Sequence, residues 1–313
     1  MTDASWEALS NQAVAACAFV YFLALLAHLV QWAGLRKLPA DEDVTEGRTA
    51  MAGRLGVLLT VIAVGVQAVA LLGRGMAADP NRVPWGNMYE FTLAGTFFVA
   101  LLYLVFLRRF GLEWMGPLVV FFVLTMLMLA VIWLYEPVAP LTEALYSYWL
   151  VIHVVSAVIA TGAFTLGGIC SVLYLLKQRS TAERGYLARL PPLTSLDRIS
   201  YRMHAFGFPV WTFAVLITGP IWAHQAWSSY WNWDPKEVWA FITWVVYAAY
   251  LHARATAGWK GRNAAIVALV GLATLWFNFI GINFFSSSSQ HSYAAPAPVH
   301  QTVAEPASTE VPL

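Results

Sequence analysis

The sequence predicts an all-α polytopic transmembrane bundle of about eight spans with both termini outside, and three observations carry that expectation. Hydrophobic residues make up 59% of the 313 and charged residues only 11%, whereas a soluble domain carries about a quarter charged residues. Long apolar runs recur along the chain, and a helix needs about 20 such residues to cross a bilayer core. The basic residues fall in alternate linkers, as they do when only one side of a membrane is cytoplasmic.

The spans are expected at residues 13–35, 55–73, 91–107, 116–134, 148–176, 205–223, 236–254 and 264–285. The first is retained as a helix, because Asp3 and Glu7 precede it without any Lys or Arg and a secretory signal opens on a basic stretch. The fifth is long enough to tilt or to project beyond the headgroups. Cys17 and Cys170 lie far apart inside apolar runs and read as packing residues. No C-x-x-C-H occurs, so the chain does not carry haem covalently. From Ser286 the sequence is rich in Ser, Ala and Pro and lacks Lys and Arg, a composition that favours disorder.

Fifteen of the 18 Lys and Arg residues fall on one side of this arrangement, leaving only Arg74, Arg82 and Lys236 on the other. Basic loops stay in the cytoplasm, so both termini are placed outside. The outer side then receives the segment from Pro84 to Phe91, an acidic loop with Glu136 and Glu143, a Trp-rich segment, and Gln290-His291-Ser292-Tyr293. A net charge of +1 says little about partners, and no nucleic-acid partner is expected.

The Trp-rich segment runs from Ile221 to Trp244 and holds Trp222, Trp227, Trp231, Trp233, Trp239 and Trp244, six of the 15 tryptophans within 24 residues. An interfacial belt places one or two at a helix end; here Trp227, Trp231 and Trp233 stand between helices. Asp234, Pro235 and Glu237 have the order of an N-cap, an N1 proline and an N3 glutamate. They start the seventh span and pin the aromatic loop before it. An aromatic shelf at a membrane surface suits a large flat apolar ligand, since rings offer contact area at little entropic cost.

Seven histidines complete the inventory. Ionisable residues within spans are rare and usually functional, which singles out His28, His153 and His252. His153 is one turn inside the outer end of the fifth span and His291 just beyond the eighth, both level with the Trp loop. Two imidazoles beside an aromatic shelf are what a bis-histidine haem site needs. His252 lies about 24 Å into the seventh span at 1.5 Å per residue, toward the inner leaflet; a second ligand there comes from His28 at comparable depth or from a partner subunit. His204 and His224 read as interfacial, and His300 lies in the tail.

With these residues in place the chain resembles the CcsA (ResC) family of system II cytochrome c biogenesis proteins. The resemblance rests on the WWD segment from Trp227 to Trp244, continuing to Tyr250-Leu251-His252-Ala253-Arg254. It extends to Asn87-Met88-Tyr89-Glu90, Trp149 to His153, Gly207-Phe208-Pro209, Gly281-Ile282-Asn283 and His291-Ser292-Tyr293. The chain departs from the family at Ser228, where Gly is usual, and at Ser289-Gln290, where Gly-Leu is usual. The resemblance covers about residues 84–293 and implies a haem-handling assembly domain there, leaving an N-terminal hairpin with the first outer loop over residues 1–83 and a tail over 294–313 outside it. It implies haem b, preferably ferrous, as transported ligand, with His153 and His291 as axial ligands and Trp227, Trp231, Trp233, Asp234 and Trp239 around it. His252 maps onto a deeper site that a partner's histidine completes, and on that pattern His28 is not a ligand. The implied partners are a CcsB/ResB-type membrane subunit, an apocytochrome c and a thiol-reducing protein; the membrane is expected to be a bacterial plasma membrane rather than a thylakoid. The chain would be the catalytic or haem-presenting subunit of a holocytochrome c synthase, with no acid–base catalyst assigned.

Two rivals make different structural demands. A b-type electron-transfer cytochrome pairs histidines across the bundle, His28 with His252. A small-solute transporter has helices broken at the midplane, for which only the stretch from Gly162 to Gly168 offers a candidate.

Overall fold

The computed structural model describes residues 2–36, 38, 44, 46–140, 145–182, 184–286 and 289. Among these, helices are α1 (Asp3–Leu35), α2 (Gly47–Met76), α3 (Met88–Phe110), α4 (Gly116–Trp133), α5 (Tyr148–Arg179), the short α6 (Tyr186–Arg189), α7 (Leu193–Thr212), α8 (Gly219–Trp227), α9 (Pro235–Thr256), α10 (Arg262–Trp276) and α11 (Ile282–Phe285). A π-helical stretch, Phe213–Thr218, joins α7 to α8 without a break, and a second, Phe277–Gly281, joins α10 to α11. The chain is a multi-pass membrane protein: seven of these helical segments are long and apolar enough to cross a membrane. The expected seventh span, α9, is not among them; it carries Lys236, Glu237 and Arg254. Its 22 residues still measure about 33 Å at 1.5 Å each.

Apolar composition makes these segments helical because a backbone in lipid must satisfy its own polar groups. Their packing follows from small and polar residues. The α1–α2 hairpin is the most extensive helix pair, joined by Ser10, whose hydroxyl donates to the Ala70 carbonyl at 2.8 Å. Tyr21 donates to Gln67 at 2.8 Å, and Gln67 donates in turn to the Leu93 carbonyl and Thr96 of α3 at 3.0 and 2.9 Å. Both cysteines are buried, as expected of packing residues.

α5 is the central helix, touching α3, α7, α8 and α10. The stretch from Gly162 to Gly168 lies within it without interrupting it, so the broken helix a transporter would need does not form there. A side chain at Gly168 would meet Leu272 of α10 at 2.5 Å, and one at Gly167 would meet the His204 ring at 2.5 Å. Small residues let backbones approach closely in a membrane, and here they seat α7 and α10 against α5.

At one end of the bundle an ion network gathers four segments. Glu90 of α3 is fully buried and receives Arg74 of α2 at 2.9 Å and Arg82 at 2.7 Å. Its second oxygen also accepts the Gly86 amide at 2.7 Å. Arg74, also fully buried, reaches Glu7 of α1 at 3.5 Å and the carbonyl of Glu136 beyond α4. At the opposite end Arg254 of α9 makes a two-pronged bridge to Asp197 of α7, at 2.7 and 2.9 Å.

Candidate functional site

Between α3, α4, α5, the α7–α8 helix, α9 and α10 lies a cavity with about 1440 Å³ of empty space, counting the part open to the outside. Its walls are aromatic and aliphatic, with Trp211, Trp222, Trp231 and Trp276 around it and Met88 and Thr96 on the α3 side. The cavity lies at the same end of the bundle as the Trp loop, and Tyr230 and Trp231 of that loop belong to its wall.

His153 lines this cavity. Ser147 caps α5, its hydroxyl accepting the Trp149 amide at 3.2 Å, and this sets His153 on the second turn of the helix. Its Nδ1 lies 2.9 Å from the carbonyl oxygen of Ala214. A carbonyl only accepts, so the proton is on Nδ1 and Nε2 is the basic nitrogen. Ala214 is in the π-helical stretch, where its carbonyl also accepts the Gly219 amide and the Thr218 hydroxyl, the latter at 3.1 Å. π-turns re-aim backbone groups and recur at functional sites. The ring is held on its other side by Trp222, nearly parallel to it at 15° with centroids 6.0 Å apart. Gly219 leaves room for it: a Cβ there would approach the imidazole to 3.2 Å. An imidazole with one nitrogen fixed on a carbonyl is the usual second shell of a metal-binding histidine, and it suits haem iron.

The cap at the start of α9 forms as the sequence predicts. Glu237 accepts the Asn232 and Asp234 amides at 2.9 and 3.2 Å, and Asp234 accepts the Lys236 amide at 2.9 Å. Asp234 also accepts the hydroxyl of Ser289 at 2.8 Å. The expected shelf of four tryptophans does not share one face, however. Trp231 lines the cavity. Trp227 packs edge-on against Trp222 at 4.9 Å in a cluster with Trp85 and Leu150. Trp239 packs on Phe277 at 4.2 Å, and Trp233 is 75% exposed. Only Trp231 and Trp233 lie in the loop between α8 and α9; Trp227 ends α8 and Trp239 lies within α9, so helix packing sets the direction of those two rings.

Ser228 and Trp233 bracket that loop with φ of 57° each. Ser228 is the left-handed cap of α8, a position that favours glycine because L-residues there cost about 1–2 kcal/mol. Ser228→Gly is therefore expected to stabilise the protein by up to roughly 1 kcal/mol, read as a raised midpoint in thermal unfolding of the purified protein.

The other histidines separate cleanly. His252 is exposed on the outer face of α9, in line with the exposed Phe241 and Val245 and away from the cavity. His28 is fully buried, with the backbones of Gly56 in α2 and Gly116 at the start of α4 directly against its ring. α9 packs on α7 and α10 rather than on α1, so the His28–His252 pair of a b-type cytochrome does not form within this chain. His204, expected at the interface, is instead fully buried. Its Nδ1 lies 2.7 Å from the Ser200 carbonyl, and its ring packs among Phe164, Tyr247 and Tyr250. The α7 helix starts at Leu193, eleven residues earlier, which carries His204 into the bundle rather than to its edge. His224 stacks on Tyr230 at 4.3 Å beside the loop. His291 and His300, with Glu143 and the tail over 294–313, lie outside the described residues.

Comparison with known proteins agrees with this architecture. The family model for "Cytochrome C assembly protein" matches residues 85–289. The chain belongs to the CcsA family of cytochrome c biogenesis proteins. It is 30% identical to the CcsA protein of Synechococcus sp. (strain JA-2-3B'a(2-13)), covering 94% of this chain and 96% of that protein. It is 37% identical to the CcsA protein of Chlamydomonas reinhardtii over 68% of this chain, although the match spans only 61% of that relative. Among solved structures it shares its fold with part of the cytochrome c haem lyase CcmF, with a TM-score of 0.64 at 15% identity over 89% of this chain and 47% of that one. This CcsA-family chain thus acts in cytochrome c biogenesis, and its cavity is the candidate haem-handling site.

The residues that reasoning from sequence missed are Trp222 and the backbone of Ala214. Trp222 stands at the edge of the Trp-rich segment, but nothing local marks it as the neighbour of an imidazole on α5. The Ala214 carbonyl has no side-chain signal at all.

Proposed function

We propose that the chain presents haem at this cavity, on the outer face of a bacterial plasma membrane, for attachment to C-x-x-C-H apocytochromes c. The observation that carries the reading is His153, with Nδ1 held by Ala214 and its ring at a large aromatic cavity. His291 is the second axial ligand. Ser289, in the same outer segment of the sequence, is anchored on Asp234 beside the loop. Trp231 and Trp222 flank the macrocycle, Trp227 supports Trp222 from behind, and Trp233 and Trp239 hold the loop. The Lys and Arg bias supports the outward placement. The three basic residues on that side are engaged within the protein, Arg74 and Arg82 with Glu90 and Lys236 with Asn283.

His252 supports a membrane partner. An imidazole on a lipid-facing surface is costly, and a second helix covering α9 removes that cost. A CcsB/ResB-type subunit is the partner we assign there, its histidine completing an inner haem site from which haem passes outward. The chemistry at the outer site adds each apocytochrome thiol across one haem vinyl group, so no net oxidation accompanies thioether formation. Ferrous haem and thiols kept reduced by a separate protein are its reactants. The chain's contribution is then orientation and exclusion of water, the effects that bring reacting groups within reach.

Co-expression with such a subunit and an apocytochrome, in a host lacking its own maturation system, tests the proposal. Covalently bound haem on the cytochrome is expected only when this chain is present. A purified complex without haem, with the apocytochrome left unmodified, would sink it. Gly219→Val is expected to displace the His153 ring and reduce maturation by about 10–100-fold, the usual cost of disturbing a ligand's second shell. A changed spectrum of bound haem, with the protein still folded, would distinguish this from misfolding.

A further inference from the structure

α3 and α7 both pack on α5, and at the end of the bundle that holds the Arg254–Asp197 bridge they meet each other through side chains. Arg202 of α7 lies over the Phe110 ring of α3, its guanidinium carbon 5.4 Å from the ring centre. One turn further along α7, Phe206 meets Phe106 of α3 edge to face at 5.5 Å. Four exposed arginines stand around this junction: Arg108 and Arg109 in the last turn of α3, and Arg198 and Arg202 a turn apart on α7. Among the described residues none of the four forms an ion pair.

That separates them from Arg74, Arg82 and Arg254, each of which meets a carboxylate. The helix dipole accounts for Arg108 and Arg109, since cations suit a C-terminus. It gives no reason for Arg198 and Arg202, which lie past the first turn of α7. The ring contact engages one face of Arg202 and leaves its N–H donors, which find no acceptor among the described residues. Beyond the arginines the surface turns apolar. Phe206 and Phe213, seven residues apart on one face of the α7 helix, are 38% and 41% exposed, and Val105 of α3 is 60% exposed. Eleven residues separate Arg202 from Phe213, about 16 Å of helix. That is close to half of a bilayer core about 30 Å thick, so a charged rim stands over one leaflet's depth of apolar track.

We propose that this corner holds one anionic phospholipid, its phosphate among Arg109, Arg198 and Arg202 and an acyl chain along Phe206 and Phe213. An arginine fork matches a phosphate in shape as well as charge, and basic pockets between spans take acidic lipid headgroups. A neutral lipid leaves the four charges unmatched, and an anion without a tail leaves the aromatic track bare. The lipid ties α3 to α7. Both helices wall the cavity, through Thr96 and Trp211 among others, and α7 runs on into the π-helical stretch that carries Ala214. The corner lies at the other end of the bundle from the Trp loop, and its ligand does not rest on the haem-presenting reading.

The test is native mass spectrometry of the purified full-length protein in detergent, titrated separately with phosphatidylglycerol and phosphatidylcholine. The quantity read is the ratio of the two affinities. Wild type is expected to favour phosphatidylglycerol. That preference is expected to fall about fivefold for each charge removed in Arg202→Gln and in Arg109→Gln with Arg202→Gln. The same substitution of Arg48 and Arg54, exposed on α2, is expected to leave it within about twofold of wild type, since the charges removed there lie on another helix. Thermal unfolding of each variant confirms that it is folded. No preference in wild type overturns the proposal. An equal fall in the α2 variant also overturns it, in favour of a diffuse attraction to the whole basic surface. Displacement of the bound lipid by inorganic phosphate overturns the lipid as occupant and makes the corner a site for a free anion.

Discussion

Replacing His153 by alanine is expected to lower the yield of covalently haemylated cytochrome c by on the order of 10²-fold. The estimate starts from the cost of disturbing a ligand's hydrogen-bonded partner, about 10–100-fold; removal of the ligand itself belongs at the upper end. The side chain stands at the cavity wall. It touches Ala214 through one nitrogen and Trp222 through its face, and it is half-buried at an open cavity rather than part of a close-packed core. The variant should therefore fold. Added imidazole is then expected to restore part of the yield, because the substitution leaves a ring-sized space. Covalent haem in the co-expressed cytochrome, with and without imidazole, is the measurement. Normal maturation by the alanine variant would show that His153 is no ligand.

Glu90→Ala is expected to cost roughly 3–5 kcal/mol of stability, the usual penalty for leaving a buried charge without its partner. Both Arg74 and Glu90 are fully buried, and Glu90 is shared between Arg74 and Arg82. With the carboxylate gone, two guanidinium groups would share one pocket. Arg74 would keep Glu7, which is 30% exposed and 3.5 Å away, and the faces of Tyr89 and Tyr135 at 5.1 and 5.8 Å. Neither replaces a carboxylate at 2.9 Å. Met88, two residues before Glu90, forms cavity wall, so loosening this corner also disturbs the site. Thermal unfolding of the purified protein reads the effect; a midpoint close to wild type would mean that the network is not what holds these helices together.

The parts of this protein legible in its sequence are those decided within a few residues or by composition. The apolar runs became helices near their expected places, because lipid forces each backbone to satisfy itself. The Asp234–Glu237 cap formed because its bonds join residues five or fewer apart. The role of Ser228 as a departure from glycine was visible as a mismatch, and its positive φ supplies the reason.

What the sequence left ambiguous was the direction of each side chain around its helix. His204 looked like an edge residue by position and is a core residue, since α7 begins earlier than its apolar run. Trp227, Trp231, Trp233 and Trp239 looked interchangeable, yet of these four only Trp231 lines the cavity. The proton position on His153 is set by a carbonyl 61 residues away, exposed by a π-turn that leaves no mark in composition. Membrane helices and their caps are thus written into local sequence, since hydropathy and short-range hydrogen bonds decide them. The meeting of His153 with Ala214 and Trp222, and of Lys236 with Asn283, was decided only when α5 packed on the α7–α8 helix and α9 beside α10, because long-range packing alone brings those atoms within hydrogen-bond or ring-contact distance.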